Sequence, residues 1–82
     1  MKPEWHVYIL QCGDDTLYTG STNDLESRIE KHKSGKGAKY TRSRKVLGLL
    51  YSERCKGRSA ALKRENEIKS LSRSEKFSLM NL

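Results

Sequence analysis

Tyr8, Tyr18, Gly20, Arg28 and His32 fall within the stretch 8–32 of the chain, and Glu65 follows much later. These residue types can do chemistry on phosphate. An arginine offers a planar, permanently charged fork for non-bridging oxygens. A histidine can take or pass a proton near neutral pH. A glycine lets backbone approach a phosphate with no Cβ in the way. Each also has a plainer use: a tyrosine packs on a sheet, an arginine closes a salt bridge, a glycine turns the chain. Only the joint spacing of the set favours the chemical reading.

The elements that must position them can be read from pattern. Trp5 to Gln11 alternates, with Trp5, Val7 and Ile9 facing one way and His6, Tyr8 and Leu10 the other, which predicts a strand. Cys12-Gly13-Asp14-Asp15 has hairpin-turn chemistry. Thr16 to Thr19 is a short second strand ending at Gly20. Asn23 with Glu26 three residues on predicts a capping box for a helix starting at Asp24. Leu25 and Ile29 form its apolar edge, Arg28 and His32 lie one turn apart beside it, and Gly35 stops it. Val46–Tyr51 is the most apolar run and predicts a buried central strand, with Gly48 marking a close contact with another element. Ser59 caps a predicted helix over Ala60–Leu71 whose stripe is Ala61, Leu62, Ile68 and Leu71. Ser72 and Glu75 predict a last capped helix packed by Phe77, Leu79 and Met80.

Glu65 falls inside the stripe of the second helix. A carboxylate on a buried face is costly unless it is paired or holds a metal. The two readings are a salt bridge, to Arg28 or to a lysine at the helix edge, and a metal ligand.

The loop 34–45 carries Lys36, Lys39, Arg42, Arg44 and Lys45 with no acid, and Tyr40 sits among them. Cations with one aromatic residue suit phosphate backbone and a stacked base. The whole chain has 82 residues, 17 Lys+Arg against 10 Asp+Glu and a formal charge of +7. That excess favours a polyanionic partner, nucleic acid ahead of a membrane surface. The length fits one domain over 1–82. Two isolated cysteines, Cys12 and Cys55, make neither a zinc cluster nor a disulfide framework. No stretch approaches the roughly 18 apolar residues of a membrane span, and the start lacks a signal-peptide run. A cytoplasmic protein is the expectation.

These residues resemble the GIY-YIG nuclease domain, and more narrowly its small stand-alone bacterial members, the UPF0213 group. His6-Val7-Tyr8 and Tyr18-Thr19-Gly20 match the two signature triplets. Arg28, eight residues after Gly20, matches the superfamily's arginine, and His32 follows one turn later. AALKRE, ending in Glu65, looks like its metal-carboxylate segment, and GAKYTR like the loop of the narrower group. Ser21 follows Gly20 where some repair nucleases of the superfamily carry a lysine.

The resemblance implies an α/β fold: a three-stranded antiparallel sheet flanked by helices, matching the order β-β-α-β-α-α read from pattern. It implies an endonuclease that hydrolyses phosphodiester bonds with one divalent cation, Mg²⁺ or Mn²⁺. The expected substrate is nucleic acid, DNA ahead of RNA and in branched, damaged or single-stranded form, with a protein partner available to supply specificity. Glu65 offers a hard oxygen ligand, and Arg28 a clamp for the phosphate. Tyr18 is the expected base. A free tyrosine, with a pKa of about 10, needs nearby cations to lower it. His32 is the alternative base, or a relay from Tyr18, and Tyr8 positions water or phosphate. Gly20 joins the loop cations as a phosphate contact. A catalytically idle nucleic-acid-binding module of the same fold is the competing reading.

Overall fold

A computed structural model of the chain describes residues 4–37 and 44–81. Its sheet is antiparallel, with β1 (Trp5–Cys12) between β2 (Leu17–Thr22) and β3 (Val46–Cys55). The helices are α1 (Leu25–Lys33), α2 (Arg58–Lys69) and α3 (Arg73–Leu79). The order is the β-β-α-β-α-α read from the sequence.

Alternation along β1 sends its side chains into two separate cores. Val7 and Ile9 meet Ala61, Ile68 and Met80, with Trp5, Tyr51, Phe77 and Leu79 packed around them. Tyr8 and Leu10 meet Val46, Tyr18, Leu25 and Ile29 on the other face. The sheet therefore lies between α1 and the α2–α3 pair. Val7, Ile9, Leu10 and Ile68 are fully buried, and each such side chain stabilises the fold by about 1.5–3 kcal/mol.

The turn after β1 places Asp15 at φ 64°, a left-handed conformation that Asp tolerates. Asp14 accepts from the amide and hydroxyl of Thr16. The α1 cap differs from the prediction by one residue. Asp24, not Asn23, is the N-cap and accepts from the Ser27 amide. The Thr22 hydroxyl accepts the Asp24 amide at 3.0 Å and fixes the chain's entry there. At the other end Gly35 takes φ 78°. Lys36 N–H bonds Lys31 O and Gly35 N–H bonds His32 O, the paired bonds of a Schellman stop.

Further expectations are corrected. Val46–Tyr51 is not central: β3 runs on to Cys55 at the sheet edge, with Leu47 54% and Leu49 41% exposed. Its pairing with β1 shifts between Ile9 and Leu10 and again between Gln11 and Cys12, leaving Leu50 and Leu47 unmatched. Such bulges break the two-residue period, so an apolar run there is not all buried. Nothing lies within 4 Å of where a Cβ on Gly48 would sit; it marks no close contact.

Helix α2 starts at Arg58 from an N-cap at Gly57 that lacks a side-chain cap bond, so Ser59 does not cap it. Its buried stripe is narrower than predicted, holding Ala61 and Ile68 while Leu62 is 44% exposed. The Ser72–Glu75 capping box of α3 forms as expected. Both cysteines are free thiols, pushed up chiefly by burial. Among the described residues no helix is long and apolar enough to cross a membrane.

Candidate active site

Tyr8 is at the middle of β1, opposite Gly20 of β2. A Cβ on Gly20 would lie 2.5 Å from the Tyr8 hydroxyl oxygen and 2.7 Å from Cζ. The ring therefore leans over a strand position that has no side chain. The hydroxyl lies 2.9 Å from His32 Nε2, and both residues are 1% exposed. The Tyr18 ring closes the group, centred 5.1 Å from the His32 ring and 6.3 Å from the Tyr8 ring. Arg28 comes from the preceding turn of α1 and acts on the Tyr8 phenol as a donor and a positive charge that favour its ionised form.

Glu65 reaches this end of β2 from the other face of the sheet. Ser21, next to Gly20, points to that face and donates to Glu65 Oε1 at 2.6 Å. Lys69 Nζ lies 2.6 Å from Glu65 Oε2. Of the two readings of Glu65 left open, the lysine at the helix edge is present as its partner. The Glu65 charge also raises the Tyr8 phenol slightly.

Burial pushes the Tyr8 phenol up to about 12. The Arg28 hydrogen bond and charge oppose this, while Tyr18 and Glu65 add to it. Burial, followed by the charge of Arg28, pushes His32 below its ordinary value. At neutral pH Tyr8 is thus a phenol and His32 a neutral imidazole. The Tyr8 hydroxyl and His32 Nε2 share one hydrogen bond, and the imidazole tautomer sets which of the two donates. His32 Nδ1 faces Gly37; a Cβ there would collide with that nitrogen. The hydroxyl bonded to Nε2 is that of Tyr8, while the Tyr18 ring packs against the imidazole.

These shifts set a pH dependence of stability. Below about 6.5 the unfolded chain protonates His32 before the folded one does, so stability falls as pH drops through that window, by at most about 1.4 kcal/mol per unit. Above about 10 the unfolded chain loses the Tyr8 proton first, so stability falls again toward 12. Thermal melts from pH 5 to 8 are expected to show the acid decline in wild type and a flatter profile in His32→Gln.

The loop cations fare unequally. Lys36 is exposed beyond the α1 stop. Arg44 is tied to Asp14 at 2.7 Å, bracing the β1–β2 turn. Lys45 is exposed, and its carbonyl accepts from Gly13 N–H at 2.6 Å. Lys39, Tyr40 and Arg42 lie outside the described residues. Sequence reasoning did not place Ser21 or Gly37, and it offered a lysine at the helix edge for Glu65 without naming Lys69. Lys69 carried a readable signal, since Glu65 and Lys69 have the favourable i, i+4 order. Ser21 and Gly37 carried none, because both act across long sequence separations or by backbone approach.

Among the described residues no cluster of three or more His, Cys, Asp or Glu could hold a metal. One carboxylate is nevertheless enough for Mg²⁺ when waters and substrate phosphate complete its shell. Glu65, oriented by a hydroxyl and 15% exposed in its side chain, fits that donor set.

Residues 4–78 match the GIY-YIG catalytic domain. A UPF0213 protein of Natronomonas pharaonis is 50% identical over 80 residues, covering 98% of this chain and 94% of that one. A UPF0213 protein of Staphylococcus haemolyticus is 47% identical over 75 residues, 92% of each chain. The solution NMR structure of the UPF0213 protein of Bacillus halodurans superposes with a TM-score of 0.61 at 45% identity, covering 95% of this chain and 83% of that one. The chain belongs to the GIY-YIG nuclease family, within its UPF0213 group.

Proposed function

We propose that this protein is a divalent-cation-dependent endonuclease that hydrolyses phosphodiester bonds of DNA. The convergence of Tyr8, Tyr18, Arg28 and His32 around Gly20, with Glu65 across the edge strand, carries this reading. It puts a proton path, a fixed charge and a hard oxygen ligand at one end of β2.

Hydrolysis needs a water to attack phosphorus, its proton to leave, and the bond to the leaving oxygen to break. The Tyr8–His32 pair can take that proton without a free tyrosinate. As the Tyr8 oxygen receives the proton of the water, its own passes to Nε2, leaving a phenol and an imidazolium. A neutral His32 is the state this transfer requires. Arg28 holds the non-bridging oxygens. Tyr18 orients the water or the phosphate, so the two tyrosines exchange the roles expected from sequence. Glu65 would hold the cation, whose charge offsets that developing on phosphate and leaving oxygen. Nucleases of this family generally use a divalent metal. A path built to activate an external water suits a backbone with no 2′-hydroxyl of its own, which favours DNA. The +7 charge supplies attraction to any phosphate backbone.

The test is cleavage of labelled single-stranded, duplex and branched DNA with Mg²⁺ or Mn²⁺, beside a chelated control. Wild type is expected to cut only with metal. Arg28→Ala is expected to cut about 10²–10³-fold more slowly, the usual cost of losing one charge-stabilising donor. Folded wild type that binds these substrates and cuts none would leave the idle nucleic-acid-binding module as the reading.

A further inference from the structure

Both oxygens of Glu65 are engaged, and the two partners differ in kind. Ser21 is a short neutral donor on a strand and fixes Oε1 in place. Lys69 is a cation on the last residue of α2, 49% exposed, and sits 2.6 Å from Oε2. The Glu65 side chain is only 15% exposed. A carboxylate so placed needs a compensating charge whenever no metal is bound.

We infer that Lys69 is a built-in counter-ion that holds Glu65 until a divalent cation displaces it, which couples cation entry to the freeing of an ammonium beside the substrate phosphate. The inference rests on the proposal that Glu65 holds the cation. With a divalent cation on Glu65 the carboxylate and ion together carry a net charge of about +1, so the ammonium loses its attraction to Oε2 and is repelled instead. Lysine is suited to leaving. Its head is strongly hydrated on a flexible stem, and with the ammonium half exposed solvent screening holds the pair to about 1 kcal/mol. Ser21 stays, so the remaining carboxylate geometry is kept for the incoming ion. The released ammonium lies at the β2 edge, where phosphate would approach Gly20. By linkage, a polyanion that draws Lys69 away also tightens the cation.

The experiment is calorimetric titration of Mn²⁺ into wild type, Lys69→Met, Lys63→Met and Glu65→Gln, with no nucleic acid present. Lys63 is an exposed lysine of the same helix and controls for general loss of charge. Lys69→Met is expected to bind Mn²⁺ about two- to five-fold more tightly, the release of one exposed ion pair, and Lys63→Met to match wild type. Equal affinity of wild type and Lys69→Met, or an equal gain in Lys63→Met, overturns the inference alone. Unchanged affinity in Glu65→Gln, or no binding by either wild type or Lys69→Met, overturns the cation role of Glu65 and the inference with it. Wild type supplies a measurement free of any folding defect: the ¹⁵N resonance of Lys69 Nζ under Mg²⁺ titration. It is expected to move toward that of an exposed lysine. A fixed Nζ signal while the Glu65 carboxyl signal moves would also overturn the displacement.

Discussion

A methyl group at position 20 is expected to lower cleavage by at least about 10²-fold, the effect of moving a reacting group by about 1 Å. In Gly20→Ala the new carbon would stand 2.5 Å from the Tyr8 hydroxyl oxygen, 2.7 Å from Cζ and 3.1 Å from Tyr18 Cε2. Separations below about 3 Å do not occur, so something must move. Tyr8 is not a flexible chain end: it is 1% exposed, and its hydroxyl is held by His32. Either the ring tilts and breaks the bond to Nε2, or β2 shifts away from β1. The overpacking is expected to cost about 1–3 kcal/mol of stability. The checks are the cleavage rate, the melting temperature and the His32 ring resonances. Unchanged His32 signals together with an unchanged rate would show that the close approach over Gly20 has no part in the chemistry.

The other large effect is expected at Glu65. Glu65→Gln keeps the shape of the side chain and an acceptor for Ser21 while removing the charge. If the carboxylate holds the cation, several kcal/mol of charge stabilisation are lost, and cleavage is expected to fall by about 10³-fold or more. Stability is expected to change by less than about 1 kcal/mol, because the broken Lys69 pair is half exposed. Nucleic-acid binding without metal is expected to hold or rise slightly, since one repelling charge is gone. A variant that cuts at the wild-type rate would move the metal ligand elsewhere. A variant that melts far below wild type would make Glu65 structural.

The fold was legible because its signals are local and agree with each other. Alternation along β1, the Gly35 stop and the Ser72–Glu75 box each depend on residues a few positions apart. The α1 cap missed by one residue because Asn23 and Asp24 are both good caps, and the Thr22 hydroxyl decided between them. β3 was misplaced because six mostly apolar residues look buried whether or not a strand has a neighbour on each side. Only the sheet order shows that β1 took the centre. The candidate site was legible as a set of residues, and its wiring was not. That His32 bonds Tyr8, that Ser21 takes one oxygen of Glu65, and that Gly37 closes on the imidazole depend on contacts over 24 and 44 residues or on backbone approach, whereas the Lys69 pair with the other oxygen is a local i, i+4 contact.

The two-sided burial of β1 also limits how this chain can vary in length. Val7 and Ile9 are wholly buried on one face, Tyr8 and Leu10 on the other. One residue gained or lost within β1 would exchange the two sets beyond that point. The phenol would enter an aliphatic core, far from the imidazole, and a valine or isoleucine would stand where a hydroxyl is needed. Many strands have a solvated face that absorbs such a slip, and this one has none. Insertions and deletions are therefore confined to the connections around it, and the distance along the chain from Trp5 to Cys12 is as fixed as any side chain in the site.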